Sequence, residues 1–405
     1  MAHALLSPSS ASKWLNCPPS ARLEASLPSY SGIAAAEGTL AHELCELLLK
    51  LELGKINKAD YLHDLIGIKS ARYFNGSIVH RCPPDMEGGE ELYDEAMYDH
   101  AVDYVALVME HYQELKQLDP LAEIHTEKQF DLSKYVPEGF GTCDTPIVAE
   151  PVLWIHDLKY GKGVPVSSEG NKQMMLYALG AYIEYSLIYE IKEIRMTVVQ
   201  PRIDNTSTAI ITKDELLTWA ETELKEKAAQ AFKGEGEMKA GNHCQFCGAR
   251  AQCRVNAQYQ MQAAEAAFKE PVLLSDAEIV NILERKKAFE GWLTSIAEFA
   301  QSAALSGKQF PGMKLVEGRS NRMYRDKEEV IKLLLQEDYF LEDIASVKPL
   351  GLGEMEKKLG KTVFTELLTP LIIKPAGKPT LVPESDKRPA IKSAEDAEKA
   401  FADSE

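Results

Sequence analysis

Asp157 and Lys159 stand two residues apart, just after the apolar run Val152-Leu153-Trp154-Ile155, which reads as a largely buried strand. Side chains two apart on a strand share a face, so a carboxylate and an ammonium are presented together. Asp144, in Gly141-Thr142-Cys143-Asp144, belongs to the preceding strand of a hairpin and can reach that face. Two carboxylates in one place can hold a hard divalent cation, Mg²⁺ or Mn²⁺, with positions left open for water and phosphate. An ammonium beside them orients water or stabilises charge developing on phosphate. Gln173 and Tyr177 are four apart in the following helix and face one side of it. The chemistry this order of residues suits is hydrolysis of a phosphodiester bond. The alternative is that Asp144 ends a turn and that Asp157 and Lys159 form a surface pair. Carboxylates and lysines are rarely buried without a partner or a metal, so the ordered set outweighs any one member.

Two further groups could bind metal. His42 lies on a helix expected from Glu37 to about Leu53, whose stripe is Leu40, Leu44, Leu47, Leu48 and Leu51. Its direction is roughly opposite that stripe, as for a solvated histidine or for one that lines a cleft. Glu37 and Glu127 are candidate supporting carboxylates or plain surface charges. Of the seven cysteines, Cys244, Cys247 and Cys253 fall within ten residues. That supplies three thiolates where tetrahedral iron or zinc takes four. Cys17, beside Pro18-Pro19, is the best remaining fourth, with His243 a substitute at a structural zinc site. Cys45, Cys82 and Cys143 fit no ligand spacing and read as ordinary thiols.

Gly38 to His42 as G-x-x-x-H, Gly141 to Asp144 as G-x-x-D, Asp157 to Lys159 as D-x-K, and Gln173 to Tyr177 as Q-x-x-x-Y occur in that order. In these motifs the chain resembles the RecB-like branch of the PD-(D/E)XK nuclease superfamily, which includes Cas4 and the AddB nuclease domain. Within it, the chain is similar over its length to phage-associated nuclease-like proteins of the DUF2800 type. The resemblance implies a restriction-endonuclease-like α/β core, with His42, Asp144 and Asp157 as metal ligands, the Leu158 carbonyl assisting, and Lys159 catalytic beside Gln173 and Tyr177. One distant N-terminal cysteine plus C-x₂-C-x₅-C resembles the [4Fe–4S] staple of Cas4 and AddB. It implies a cluster on Cys17, Cys244, Cys247 and Cys253, with structural Zn²⁺ as the alternative.

The elements that must position these groups follow from periodicity. A short capped helix runs from near Pro8 to Pro18-Pro19, and a second long helix from about Glu87 to Leu118, after an irregular stretch from about Ala71 to Pro84. Strands are expected at Glu123–Phe130, Phe140–Ala149, Val152–Tyr160, Ile194–Gln200 and Ser207–Thr212, with helices at Asn171–Tyr189 and about Asp214–Lys233. This is a mixed central sheet flanked by helices. The organisation expected is a nuclease domain over 1–265 with a helical insertion at about 37–118, an α-rich region over 266–370, and an extended or flexible tail over 371–405. Lys314, Arg319, Arg322 and Arg325 could touch phosphate or form a solvated face.

The 405 residues are 45% hydrophobic and 26% charged, ordinary for a globular protein, and no apolar run is long enough for a membrane span. The N-terminus lacks a basic region followed by an apolar run, so a cytoplasmic location is expected, and the resemblance to phage-associated proteins implies a bacterial host cell. A net charge of -17 excludes a general nucleic-acid coat. Gly161-Lys162-Gly163 lacks the spacing of a phosphate-cradling loop, which disfavours a nucleotide-binding ATPase. Two readings remain: a Mg²⁺- or Mn²⁺-dependent DNA exonuclease or end-processing enzyme acting on single strands or DNA ends, with phage recombination proteins as partners, or a non-catalytic DNA-end binding module that retains the fold. The acid balance favours the second and the complete residue set favours the first.

Overall fold

The computed structural model describes residues 4–27, 32–74, 76–83, 86, 88–265, 275–314, 316, 327–336, 340, 344, 355, 358–368 and 371–372. The N-terminal segment is a 3-10 turn at Pro8–Ser10 followed by the short helices α1 (Ala11–Trp14) and α2 (Ser20–Ala25). Helices α3 (Ile33–Glu52) and α4 (Lys58–Lys69) come next, with the Asn57 side chain capping α4 by accepting from the Ala59 and Asp60 amides. α3 starts one turn before the expected Glu37, because Ala34, Ala35 and Ala36 are strong helix formers.

The stretch expected to be irregular holds three short strands, β1 (Arg72–Phe74), β2 (Ser77–Val79) and β3 (Glu90–Glu91), in the order β2-β1-β3. Helix α5 (Glu95–Leu118) therefore begins later than Glu87. Gly88 and Gly89 take left-handed φ of 81° and 74°, Glu90 and Glu91 pair with β1, and Asp94 caps the helix at the Met97 amide. The insertion is thus helical with a small sheet inside it.

The strand expected over Glu123–Phe130 is two, β4 (Glu123–Ile124) and β5 (Lys128–Asp131), and its partner is likewise split into β6 (Phe140–Cys143) and β7 (Thr145–Val148). β5 and β6 form a two-stranded sheet, while β4 and β7 join β8 (Val152–Leu158), β9 (Glu193–Gln200) and β10 (Asn205–Thr212) in the order β10-β9-β8-β7-β4. β8 and β9 are parallel, and helix α6 (Lys172–Tyr185) makes the crossover between them. The other neighbours are antiparallel, so the sheet is mixed. β8 is buried along its whole length, as a central strand covered on both faces must be.

The strand period of two divides β8 between two cores. Leu153 and Ile155 join α6, Trp14 of α1, and Leu216 and Leu224 of the segment α7 (Lys213–Trp219), a π turn and α8 (Lys225–Lys233). Val152, Trp154 and Leu158 face Leu40 and Leu44 of α3 and Tyr104 and Val108 of α5. Each fully buried aliphatic side chain in these layers contributes about 1.5–3 kcal/mol of transfer free energy.

Helices α9 (Arg254–Glu265) and α10 (Asp276–Leu305) follow the cysteine-rich loop. The chain divides into two compact units, Met1–Ala303 and Ala304–Glu405. The first runs past the expected boundary at residue 265 because α10 returns onto it. Lys287 donates to the Gly163 carbonyl at 3.2 Å and Arg285 donates to the Tyr259 carbonyl. In the second unit the described residues include the helices Lys327–Gln336 and Lys361–Leu368. Arg319, Arg322 and Arg325, and the tail beyond Ile372, lie outside the described residues, while Lys314 is exposed. Among the described residues no helix is long and apolar enough to cross a membrane.

Candidate metal centre

Both split strands cross from one sheet to the other at the same level, and the crossing points carry the chemistry. Thr145 pairs with His156, so the register places Asp144 beside Asp157. Glu127 sits at the matching break between β4 and β5, with a left-handed φ of 46° and its amide donating to the Asp144 carbonyl at 2.8 Å. A glutamate in this region of the backbone is costly, and such positions persist where the surroundings enforce them. The turn brings the Glu127 carboxylate to the end of β8 instead of leaving it on a strand face.

His42 completes the group from α3. Its Nδ1 lies 3.3 Å from Asp144 Oδ2 and 3.9 Å from Glu127 Oε1. One ligand atom from each of His42, Glu127 and Asp144 falls within 4.8 Å of the others, which suits a single cation. Leu158 lines the small cavity at this group, and its amide donates to Asp144 Oδ2 at 2.7 Å. Asp157 stands next to the trio, 1% exposed, with Oδ1 accepting from Gln173 Nε2 at 3.0 Å. The same Nε2 donates to the Tyr177 hydroxyl at 3.1 Å. Lys159 Nζ is 2.8 Å from the buried Asp157 Oδ2, an ion pair at the end of β8.

The electrostatics follow from crowding. Burial disfavours the His42 imidazolium, yet Asp144, Asp157 and Glu127 outweigh it and push His42 up to about 9. Burial and then the Asp144 carboxylate push Glu127 up to about 7. Asp157 is held above its usual range by burial despite Lys159. At Asp144 burial is outweighed by His42, Lys159 and the Leu158 amide, and its carboxyl lies below the usual range. Burial opposes the Lys159 ammonium, but Asp157 and Asp144 outweigh it and raise its pKa. Three carboxylates therefore share two cationic side chains, a cluster that a dication would relieve.

All seven residues singled out for this centre, His42, Asp144, Asp157, Leu158, Lys159, Gln173 and Tyr177, come together. Glu127 moves from a supporting role into the ligand trio, whereas Glu37 does not join it. Glu37 pairs with Arg202 at 2.7 Å, and the guanidinium lies over the Tyr160 ring. Gly141 has a packing reason: a Cβ there would lie 2.4 Å from Pro8 Cγ and 3.1 Å from Tyr177 Cε1. Among the described residues nothing lies within 4 Å of a Cβ at Gly38.

Sequence reasoning passed over a histidine pair behind β8. His111 Nδ1 and His156 Nε2 are 2.8 Å apart, and His156 Nδ1 donates to the Thr145 carbonyl at 3.2 Å, which leaves Nε2 as acceptor from His111. Burial first, then His111, pushes His156 down to about 3, so it is neutral. A lone histidine inside an apolar run was the available signal.

Cys17, Cys244, Cys247 and Cys253 line one cavity, with His243 at its edge. Cys17 comes from the turn between α1 and α2, and Cys244 from a 3-10 turn at Asn242–Phe246. Lys13 donates to Glu24 at 2.8 Å and to the Phe246 carbonyl at 3.3 Å, and the Gly248 amide donates to Glu24 at 2.7 Å, which ties the N-terminal helices to the cysteine loop. Burial raises Cys244, and burial followed by the Glu24 carboxylate pushes Cys247 up to about 11. Cys45, Cys82 and Cys143 are buried away from this cavity; Cys45 lines the small cavity at His42 and Asp144, and burial, then Asp144, raises the Cys45 and Cys143 thiols.

A family model described as "Protein of unknown function (DUF2800)" matches residues 3–389. Among solved structures, one titled "Crystal structure of SSO0001" is 15% identical and covers 40% of this chain and 74% of that chain at a TM-score of 0.24, too low to carry an argument about the fold.

Proposed function

The chain belongs to the DUF2800 family of proteins of unknown function, and on that premise we propose that it is a metal-dependent deoxyribonuclease with a restriction-endonuclease-like core of the PD-(D/E)XK type. The observation that carries this reading is the meeting of His42, Glu127 and Asp144 with the buried Asp157–Lys159 pair at the end of one central strand. Mg²⁺ or Mn²⁺ fits the donor set. Oxygen ligands predominate, and one ligand atom from each of His42, Glu127 and Asp144 lies within 4.8 Å of the others. His42, Glu127 and Asp144 would hold the ion, joined by Asp157 and the Leu158 carbonyl. When bound, it supplies Lewis acidity toward a phosphoryl oxygen and acidifies water.

The chain's own residues do the rest. Gln173 fixes Asp157 through Oδ1, and the Tyr177 hydroxyl accepts from the same amide and holds its orientation. The Lys159 ammonium, paired with Asp157 at 2.8 Å, would offset charge that develops on a phosphate brought to the site. The substrate class is DNA, as single strands or ends, in a phage recombination or replication setting.

The cysteine cavity is read as the seat of a [4Fe–4S] cluster in preference to zinc. The preference rests on the resemblance of Cys17 plus C-x₂-C-x₅-C to a [4Fe–4S] staple, and all four cysteines line the one cavity.

The test is incubation of anaerobically purified protein with end-labelled single- and double-stranded DNA, with and without Mg²⁺ or Mn²⁺. Cleavage is expected only with the ion and is lost in Asp157→Ala. Binding without cleavage would leave the DNA-end binding reading instead.

A further inference from the structure

An acidic chain that acts on DNA must gather its positive charge locally, and one groove does so. It encloses about 500 Å³ between the loop after β8, the cysteine loop, α9 and α10. Three of its lining residues are cationic, Arg250, Arg285 and Lys287, against the single carboxylate of Glu284. Three are aromatic: Phe246, Tyr259 and Trp292. The Arg285 guanidinium already lies over the Tyr259 ring, 4.5 Å from its centre.

Polar side chains are packed into the wall of the groove. Gln260 is 4% exposed and its Oε1 has no hydrogen bond; Trp292 is 8% exposed and its Nε1 has none either. Both residues line the groove.

Position links the groove to the candidate centre. Its floor begins at Gly163, four residues after Lys159, a separation of at most about 14 Å along the chain. Cys244 lines both this groove and the cysteine cavity.

We propose that this groove binds single-stranded DNA, stacking bases on Phe246 and Tyr259 and holding phosphates with Arg250, Arg285 and Lys287, so that it guides one strand to or from the centre at Lys159. The chemistry is that of a stacking platform set in a basic channel. It deepens the nuclease reading and rests on it for the direction of the strand, while binding can be measured without cleavage.

The experiment uses the full chain in EDTA, with a fluorescein-labelled oligothymidylate followed by anisotropy. Phe246 is 64% exposed, so Phe246→Ala leaves the fold intact. It should weaken binding by about tenfold, the loss of one stacked base, and Phe246→Trp should restore it. Lys287→Ala should lower the slope of log affinity against log salt by about 0.7. Unchanged affinity in both alanine variants overturns the proposal. So does equal competition by polyglutamate, which would mean plain charge attraction, or equal loss of affinity for a blunt duplex.

Hydrolysis of bis(p-nitrophenyl) phosphate, too short to reach the groove, separates this idea from the nuclease reading. Groove variants should keep that hydrolysis while losing strand affinity. If no phosphodiester is cleaved by any form yet binding still responds to Phe246 and Lys287, the groove stands and the nuclease reading falls.

Discussion

At the residue scale the account turns on Glu127, whose carboxyl is pushed up to about 7 by burial and Asp144. Its ordinary value is 4.5, so between those two the folded chain binds more protons than the unfolded one, and stability falls as pH rises. His42, raised from 6.5 to about 9, extends the same trend: its contribution is full below 6.5 and is lost as pH climbs through 9. Metal-free protein should therefore melt lower at pH 9 than at pH 6. Glu127→Gln should shrink that drop and also weaken Mn²⁺ binding by at least about tenfold, read by calorimetry. An unchanged pH profile together with unchanged Mn²⁺ affinity would remove Glu127 from the centre. His42, Asp144, Asp157 and Lys159 were legible from the sequence because motif order and strand alternation place them. Glu127 was not, since EIHTEKQF alternates as one unbroken strand, and only the left-handed turn at Glu127 reveals the break.

At the scale of elements, a mixed sheet flanked by helices was readable from hydrophobic runs and turn residues, while the parallel pairing of β8 and β9 across α6 is seen only in the fold. The small sheet β1–β3 was not, because strands of two or three residues leave no periodic trace, and their pairing depends on contacts distant in sequence. The two motif glycines make a contrasting pair. Gly141 is pressed between the N-terminal turn and α6, so Gly141→Ala should cost about 1–3 kcal/mol by overpacking. Gly38 lies in α3 with open space around it, so Gly38→Ala should stabilise by about 0.5–1 kcal/mol through helix propensity. Urea titration of both variants checks this. Equal destabilisation by the two would mean that Gly38 meets a constraint, such as a bound strand, that packing does not display.

For the whole molecule, the cysteine cavity joins the first helices to the segment that follows α8, and the cations of the groove lie beside it. Metal binding at such a closure is coupled to folding. Cys247→Ala should abolish the broad visible absorption of anaerobically purified protein and lower its melting temperature. A colourless wild type carrying stoichiometric zinc would contradict the cluster. The net charge of -17, the strongest sequence-level objection to DNA binding, is answered locally by a groove with three cations and one carboxylate. The central claim is most directly tested by single-turnover cleavage of end-labelled single-stranded DNA in Mn²⁺, comparing wild type with Lys159→Ala and measuring metal occupancy of both. The account predicts equal occupancy and a fall in cleavage rate of about a hundredfold or more. Equal rates at equal occupancy would contradict it.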